Sequence, residues 1–274
     1  MKLGSNMGIF NCYGEEKYKR MKEFGFDFAD VVIDGVLRGM TEKEYSDKIL
    51  HEKKLADEAG VTIWQAHGPW RYPPHDETEE LRAERAEVMR RAIRCAAMID
   101  CKYWVIHPLM PFGPNDDFDT EQFFKINYDF FRALLPTAKE NGVTICFENM
   151  PMTKLSISSP EKTLEFIRAI NDDNFKMCLD TGHCSRLGIS PADAVRLAGA
   201  DMKVMHVHDN LGDHDSHMPM LTGIIDWKAY YDALVEIGFD GVFSLEVGWG
   251  DFIRNASNDV KLKALKAIVD DIVK

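Results

Sequence analysis

The sequence predicts an α/β protein, a single (β/α)8 TIM barrel spanning residues 1–274, on three observations. Apolar runs of strand length alternate with amphipathic runs of helix length, and there are eight of each. No Pro/Gly/Ser-rich linker, low-complexity tract or finer repeat divides the chain. The third observation is that chemistry-bearing residues gather at one end of the β-runs. Strands alternating with helices pair in parallel, and eight such units close into a barrel. The rival, a doubly wound open sheet, usually has fewer strands, and no G-x-G-x-x-G turn follows the first β-run.

Taken in order, the β-runs are residues 2–9 (KLGSNMGI), 28–33 (FADVVI), 61–66 (VTIWQA), 102–107 (KYWVIH), 143–148 (VTICFE), 175–180 (FKMCLD), 202–207 (MKVMHV) and 242–247 (VFSLEV). Between them, stretches such as TEKEYSDKILHEKKLADEAG and TEELRAERAEVMRRAIRCAAMID place apolar residues at i, i+3 and i+4, as surface helices require. Gly60, Gly142 and Gly238 suit helix C-terminal caps, each followed almost at once by the next β-run.

Composition narrows the function classes. A chain of 274 residues at 45% hydrophobic can bury a full core. No apolar run approaches the roughly 18 residues that cross a bilayer. The start, MKLGSNMGIF, lacks the apolar stretch and cleavage site of a secretion signal. A cytoplasmic protein with no membrane partner is expected. Six cysteines without a C-x-x-C pair fit reduced thiols in apolar segments better than a disulfide framework. A formal charge of −12 disfavours a broad nucleic-acid footprint and leaves room for carboxylates that bind metal.

The functional face of such a barrel is the C-terminal end of its strands. There the third run offers His67, the fourth His107, the fifth Glu148, the sixth Asp180 and His183, the seventh His206, His208 and Asp209, and the eighth Glu246. A lone histidine at a strand end is more often a satisfied core group than a ligand, and a glutamate there is often where chain meets water. Six consecutive strands delivering such groups to one rim is different. Burying them together is costly unless a cation or hydrogen bonds compensate. Glu148, Asp180, His206 and Glu246 supply three carboxylates and one imidazole from four neighbouring strands, a sphere suited to Mn²⁺, Mg²⁺, Co²⁺ or Zn²⁺. His208, two residues past His206, is expected to face the same way. Asp209 is expected behind a ligating imidazole.

The E, D-T-G-H, H-x-x-D and final L-E elements, in this order on strands five to eight, resemble the xylose isomerase-like TIM barrels. That superfamily holds sugar and sugar phosphate isomerases and epimerases, inosose dehydratases, hydroxypyruvate isomerases and endonuclease IV. The resemblance implies a divalent-metal-dependent isomerase or epimerase acting on a small carbohydrate through a metal-stabilised enediolate. It makes Glu148, Asp180, His206 and Glu246 the metal ligands, with Glu148 and Glu246 exchanging the substrate proton. His183 becomes a substrate-binding group or a ligand of a further metal.

Two alternatives stay open within the same superfamily. A polyol or keto-acid dehydratase would use the same enolate chemistry. An endonuclease IV-like zinc phosphodiesterase would use three zinc ions. The chain offers counterparts to every ligand of that enzyme: His67, His107, Glu148, Asp180, His183, His206, Asp215, His217 and Glu246. Against it, the loops PWRYPPHDE and PFGPNDDFD are acidic where a DNA-binding rim is basic, so no nucleic-acid partner is expected. HDSHMP, which carries Asp215 and His217, reads equally as a solvated loop. Trp70, Tyr72 and Trp249 lie just past strand ends and suit stacking on a sugar, a lid or an oligomer contact. Arg186 and Lys154 follow rim motifs and suit a hydroxyl or phosphate. A homo-oligomer is compatible with the rim aromatics.

Overall fold

The computed structural model describes residues 1–34, 39–70, 76–113 and 119–274. Eight strands form one parallel sheet: β1 (Lys2–Asn6), β2 (Phe28–Val32), β3 (Thr62–His67), β4 (Tyr103–Ile106), β5 (Thr144–Glu148), β6 (Phe175–Asp180), β7 (Met202–His206) and β8 (Val242–Leu245). Their order is β7-β6-β5-β4-β3-β2-β1-β8. Beyond β7, Val207 N donates to Ser244 O at 2.9 Å and Glu246 N donates to Val207 O at 3.0 Å, bringing β7 to β8. The result is a nearly closed TIM barrel, as the alternation predicts.

Nine α-helices are described: α1 (Lys17–Glu23), α2 (Glu42–Ala59), α3 (Glu79–Met98), α4 (Thr120–Glu140), α5 (Pro160–Ile170), α6 (Thr181–Arg186), α7 (Pro191–Ala198), α8 (Trp227–Glu236) and α9 (Asn258–Ile272). The one beyond the eight expected is α6. The stretch TGHCSR coils directly off β6 because Asp180 caps it, its Oδ1 accepting from His183 N at 2.6 Å. Gly60, Gly142 and Gly238 all adopt left-handed φ, which a Cβ would disfavour, and each ends a helix as expected.

Period-two alternation sets what each strand presents. On β5, Phe147 points outward and meets Phe131 of α4 and Phe166 of α5, with ring centroids 5.0 and 4.9 Å away. Its neighbours Cys146 and Glu148 turn inward. Val105, Cys146, Cys178 and Val204 form a buried apolar layer inside the barrel, with Trp64 and Tyr103 against it. Two residues further along the same strands come His107, Glu148, Asp180 and His206. The candidate ligands are thus the next inward layer, above a dry floor. All six cysteines are free, and five of them are buried. Among the described residues, no helix is long and apolar enough to cross a membrane.

Candidate metal centre

The four residues singled out as a ligand set converge. Each of Glu148, Asp180, His206 and Glu246 offers one ligand atom, and these atoms lie within 4.8 Å of one another. Strand pairing brings them there: Asp180 is in register with His206, and Glu148 with Cys178. His206 Nδ1 stands 2.9 Å from Glu148 Oε1 and 3.2 Å from Glu246 Oε2. Glu148, Asp180 and His206 are buried, while Glu246 is partly open to the cavity.

Two further groups adjoin this one. His67 Nε2 and His107 Nε2 are 3.1 Å apart and lie 3.6 and 3.2 Å from Glu148 Oε2. That oxygen is buried and has no hydrogen-bond partner. On the other side, Asp215 Oδ2 lies 3.1 Å from His183 Nε2 and 3.2 Å from His217 Nε2. The HDSHMP stretch is therefore not simply a solvated loop, since Asp215 and His217 turn into the cavity.

The imidazoles are oriented from behind. His67 Nδ1–H donates to Gly68 O at 2.8 Å, His183 Nδ1–H to Asn149 O at 2.7 Å, and His217 Nδ1–H to Glu246 O at 2.9 Å. Each backbone acceptor fixes the tautomer and leaves Nε2 free to face the carboxylates. His206 is reversed. Its Nε2–H donates to Asp30 Oδ2 at 3.1 Å, so Nδ1 faces Glu148 and Glu246. A donor set of carboxylates and pre-aimed ring nitrogens, with an orphaned buried carboxylate oxygen among them, fits a divalent cation.

The electrostatics agree. Burial opposes charge on Glu148, but His206, His107 and His67 hold its carboxyl well below the usual range. Asp180 is likewise depressed against burial by His183 and His208. Burial disfavours charge on His183, yet Asp180 and Asp215 hold it up at about 10. His217 also stands at about 10, its burial outweighed by Asp215 and Glu246. His206 is pushed up by Cys178, Glu246 and Glu148 despite complete burial. The carboxylate charge that raises these histidines is charge that a bound cation would neutralise.

His208 takes a supporting place. Its Nε2 donates to Asp180 Oδ2 at 3.0 Å, and its ring stacks on His217 at 4.0 Å. The ring also fills the space where a Cβ on Gly182 would stand, 1.9 Å from Cε1. Asp209 differs from expectation. Its carboxylate touches no imidazole but accepts from Asn210 N, Gly223 N, Ile225 N and Trp227 Nε1, pinning the chain between β7 and α8.

A cavity of about 290 Å³ opens over the centre, lined by His67, His107, Glu148, His183, Asp215, His217 and Glu246. Trp70 reaches it from the rim, 52% exposed, its ring 6.3 Å from His107. Arg186, Lys154 and Trp249 do not line it. Arg186, in the last turn of α6, is half-buried. Lys154 is exposed. Trp249 stacks on Phe252, with Lys261 Nζ 5.7 Å from its ring. Tyr72 lies outside the described residues.

Two residues escaped the sequence reading. Asp30 on β2 and Gln65 on β3 sit behind His206, where Gln65 Nε2 donates to Asp30 Oδ2 at 3.0 Å. The signal was present, for an aspartate inside the apolar run FADVVI needs a buried partner.

The family model described as "Xylose isomerase-like TIM barrel" matches residues 18–268, and the chain belongs to that family. A protein of Methanocaldococcus jannaschii is 29% identical over 236 residues, covering 83% of this chain and 77% of that protein. An L-ribulose-5-phosphate 3-epimerase of Salmonella paratyphi A is 22% identical over 254 residues, covering 89% of this chain and 85% of the enzyme. Among solved structures, a D-tagatose 3-epimerase-like protein superposes with a TM-score of 0.77 at 25% identity over 100% of both chains. The IolI protein, solved with a zinc atom bound, superposes with a TM-score of 0.77 at 19% identity, covering 100% of this chain and 98% of that one.

Proposed function

We propose that the protein is a divalent-metal-dependent isomerase or epimerase of a small carbohydrate, with Glu148 and Glu246 exchanging the substrate proton. The observation that carries this reading is the placement of the two glutamates. They reach the same His206 nitrogen from different strands, and both line a cavity at the small end of ligand-pocket sizes. The relatives and neighbours include epimerases of small sugars, which supports the same class.

Glu148, Asp180, His206 and Glu246 would hold the cation. When bound, it would polarise a carbonyl and stabilise the enediolate charge by several kcal/mol. Against its burial, His206, His107 and His67 hold Glu148 in the ionised form that accepting a proton requires, and the same depression weakens it as a base. One glutamate takes the proton next to the carbonyl, and the other returns a proton from across the sugar. Return to the opposite face of the same carbon is epimerisation; return to the adjacent carbon is isomerisation. Loss of a neighbouring hydroxyl from the same enolate would make the enzyme a dehydratase. Trp70 offers an apolar ring at the mouth against a sugar face.

The test is proton exchange. Metal-loaded protein incubated with ketoses in deuterated water should label the carbon next to the carbonyl, and Glu148→Gln should abolish that labelling. Labelling that survives in the variant would remove Glu148 from the mechanism.

A second reading has one observation in its favour. All nine counterparts of the endonuclease IV ligands meet in three adjoining groups, including His183, Asp215 and His217. A zinc phosphodiesterase would hold three zinc ions there. Zinc-loaded protein incubated with an abasic-site duplex separates the readings, because efficient incision would rank this one first.

A further inference from the structure

The lining of the cavity over the metal centre is of two kinds. One part holds Glu148, Glu246, Asp215 and the imidazoles of His67, His107, His183 and His217. The other is an apolar wall built by three successive loops: Trp70 after β3, Pro108 and Met110 after β4, and Met150, Pro151 and Met152 after β5. Trp70 is exposed, and Pro151 and Met152 are half-buried, so the wall offers surface that a ligand can cover.

The backbone of these loops is engaged as well. Leu109 N donates to Asn127 Oδ1 at 2.8 Å, and Leu109 O accepts from Asn127 Nδ2 at 3.2 Å. Met150 N donates to Ser158 O at 2.9 Å, and Met150 O accepts from Ser158 Oγ at 2.8 Å. Met110 O and Met152 O accept from Gly113 N and Leu155 N at 3.2 and 3.4 Å. Pro108 and Pro151 have no N–H. Outside the metal centre, the polar side chains among the described lining residues are Asp76 and Arg85. Both are buried and already have partners in the protein, Arg85 Nη2 donating to Pro69 O at 2.6 Å. A hydroxyl laid against this wall loses water and finds little in return, which costs free energy. A methyl or methylene group gains by burial there, and methionines adapt their shape to it.

We propose that this wall receives the non-reacting end of the substrate, and that this end is alkyl, as in a deoxy sugar, rather than hydroxymethyl. The inference rests on the carbohydrate reading above and deepens it, since that reading leaves the sugar open. It makes Met152 a specificity residue: its side chain packs on the end group and takes no part in the proton transfer.

Two kinds of matched pair test it on the manganese-loaded protein. Butanohydroxamate and 2,3,4-trihydroxybutanohydroxamate both chelate a metal and share one carbon chain, differing only in hydroxyls; calorimetry gives their Kd values. The pairs 6-deoxy-L-tagatose with L-tagatose and 6-deoxy-D-fructose with D-fructose differ by one hydroxyl, and proton exchange in deuterated water gives kcat/KM. The bare hydroxamate should bind about tenfold tighter or more, and the deoxy sugar of at least one pair should lead its parent by a similar factor. Met152→Gln offers an amide to a hydroxyl at similar side-chain length. It should narrow both ratios about threefold or more while manganese affinity stays unchanged. Differences in ring form belong to the sugars alone and cancel in that comparison. Equal hydroxamate affinities, no binding of either, or ratios that Met152→Gln leaves unaltered would overturn the inference, as would parents turned over as well as their deoxy partners in both pairs. If no ketose exchanges a proton, the proposed reaction fails instead, and the hydroxamate ratio alone decides what the wall accepts.

Discussion

Replacing Asp30 with asparagine removes a charge that touches no substrate and no ligand atom of the proposed cation, yet it should weaken metal binding. Asp30 Oδ2 accepts from His206 Nε2 at 3.1 Å and from Gln65 Nε2 at 3.0 Å, and the whole side chain is buried. The carboxylate fixes Nε2 as the protonated nitrogen and makes Nδ1 the more basic donor. Asparagine keeps an acceptor of similar shape but turns a charge-assisted bond into a neutral one. Charge-assisted bonds contribute about 1.5–3 kcal/mol and neutral ones about 0.5–1.5 kcal/mol. The difference, about 1–2 kcal/mol, corresponds to a roughly 5- to 30-fold rise in Kd. Titration calorimetry with Mn²⁺ on wild type, Asp30→Asn and Gln65→Leu measures it. Gln65→Leu should have the smaller effect, since it removes only a neutral donor to Asp30. Manganese affinity unchanged within twofold in Asp30→Asn, with the fold intact, would refute the idea that this carboxylate orients His206.

Other outcomes follow from the same geometry. Gly182→Ala should lower stability by about 1–3 kcal/mol, the usual cost of overpacking, because its Cβ would fall 1.9 Å from the His208 ring; thermal melting checks it, and an unchanged Tm would mean that the ring moves freely. Asp209→Ala strips four donors of one buried acceptor, so stability should fall by about 3 kcal/mol or more. Limited proteolysis should then cut first between residues 210 and 226. His183 and His217 are held up at about 10 by Asp215 and its neighbours against their own burial. A raised histidine stabilises the fold fully below its unfolded value near 6.5 and loses that contribution as pH climbs through the raised value. Melting of the metal-free protein should therefore decline between about pH 6.5 and 10, and saturating Mn²⁺ should flatten the decline, because a cation on Asp180 and Glu246 offsets part of the negative charge that holds the two histidines up.

How far the sequence could be read depended on the kind of signal. The strands were legible because each is a short apolar run bounded by a helix cap, and β3, β5 and β6 match their expected spans to within a residue. The ends of β1 and β8 were read too long, since Met7–Ile9 and Glu246–Val247 are apolar or mixed residues that leave the ladder. The convergence of Glu148, Asp180, His206 and Glu246 was legible because each stands at the C-terminal end of its strand, and a barrel gathers those ends on one rim. Asp209 was misjudged because it is one residue from His208 and so turned away from the barrel axis. Asp30 inside an apolar run signals a buried partner, but that the partner includes Gln65, 35 residues away, emerges only when the sheet pairs the two strands. The trio of His183, Asp215 and His217 likewise depends on a loop returning across the rim, which periodicity does not encode.

The central claim is that Glu148, Asp180, His206 and Glu246 surround one divalent cation. Crystals soaked in Mn²⁺ and measured at the manganese edge test it most directly. A single dominant anomalous peak bonded to those four side chains is expected, with His206 engaged through Nδ1. A dominant peak at another group of residues, or none at saturating manganese, would contradict the account.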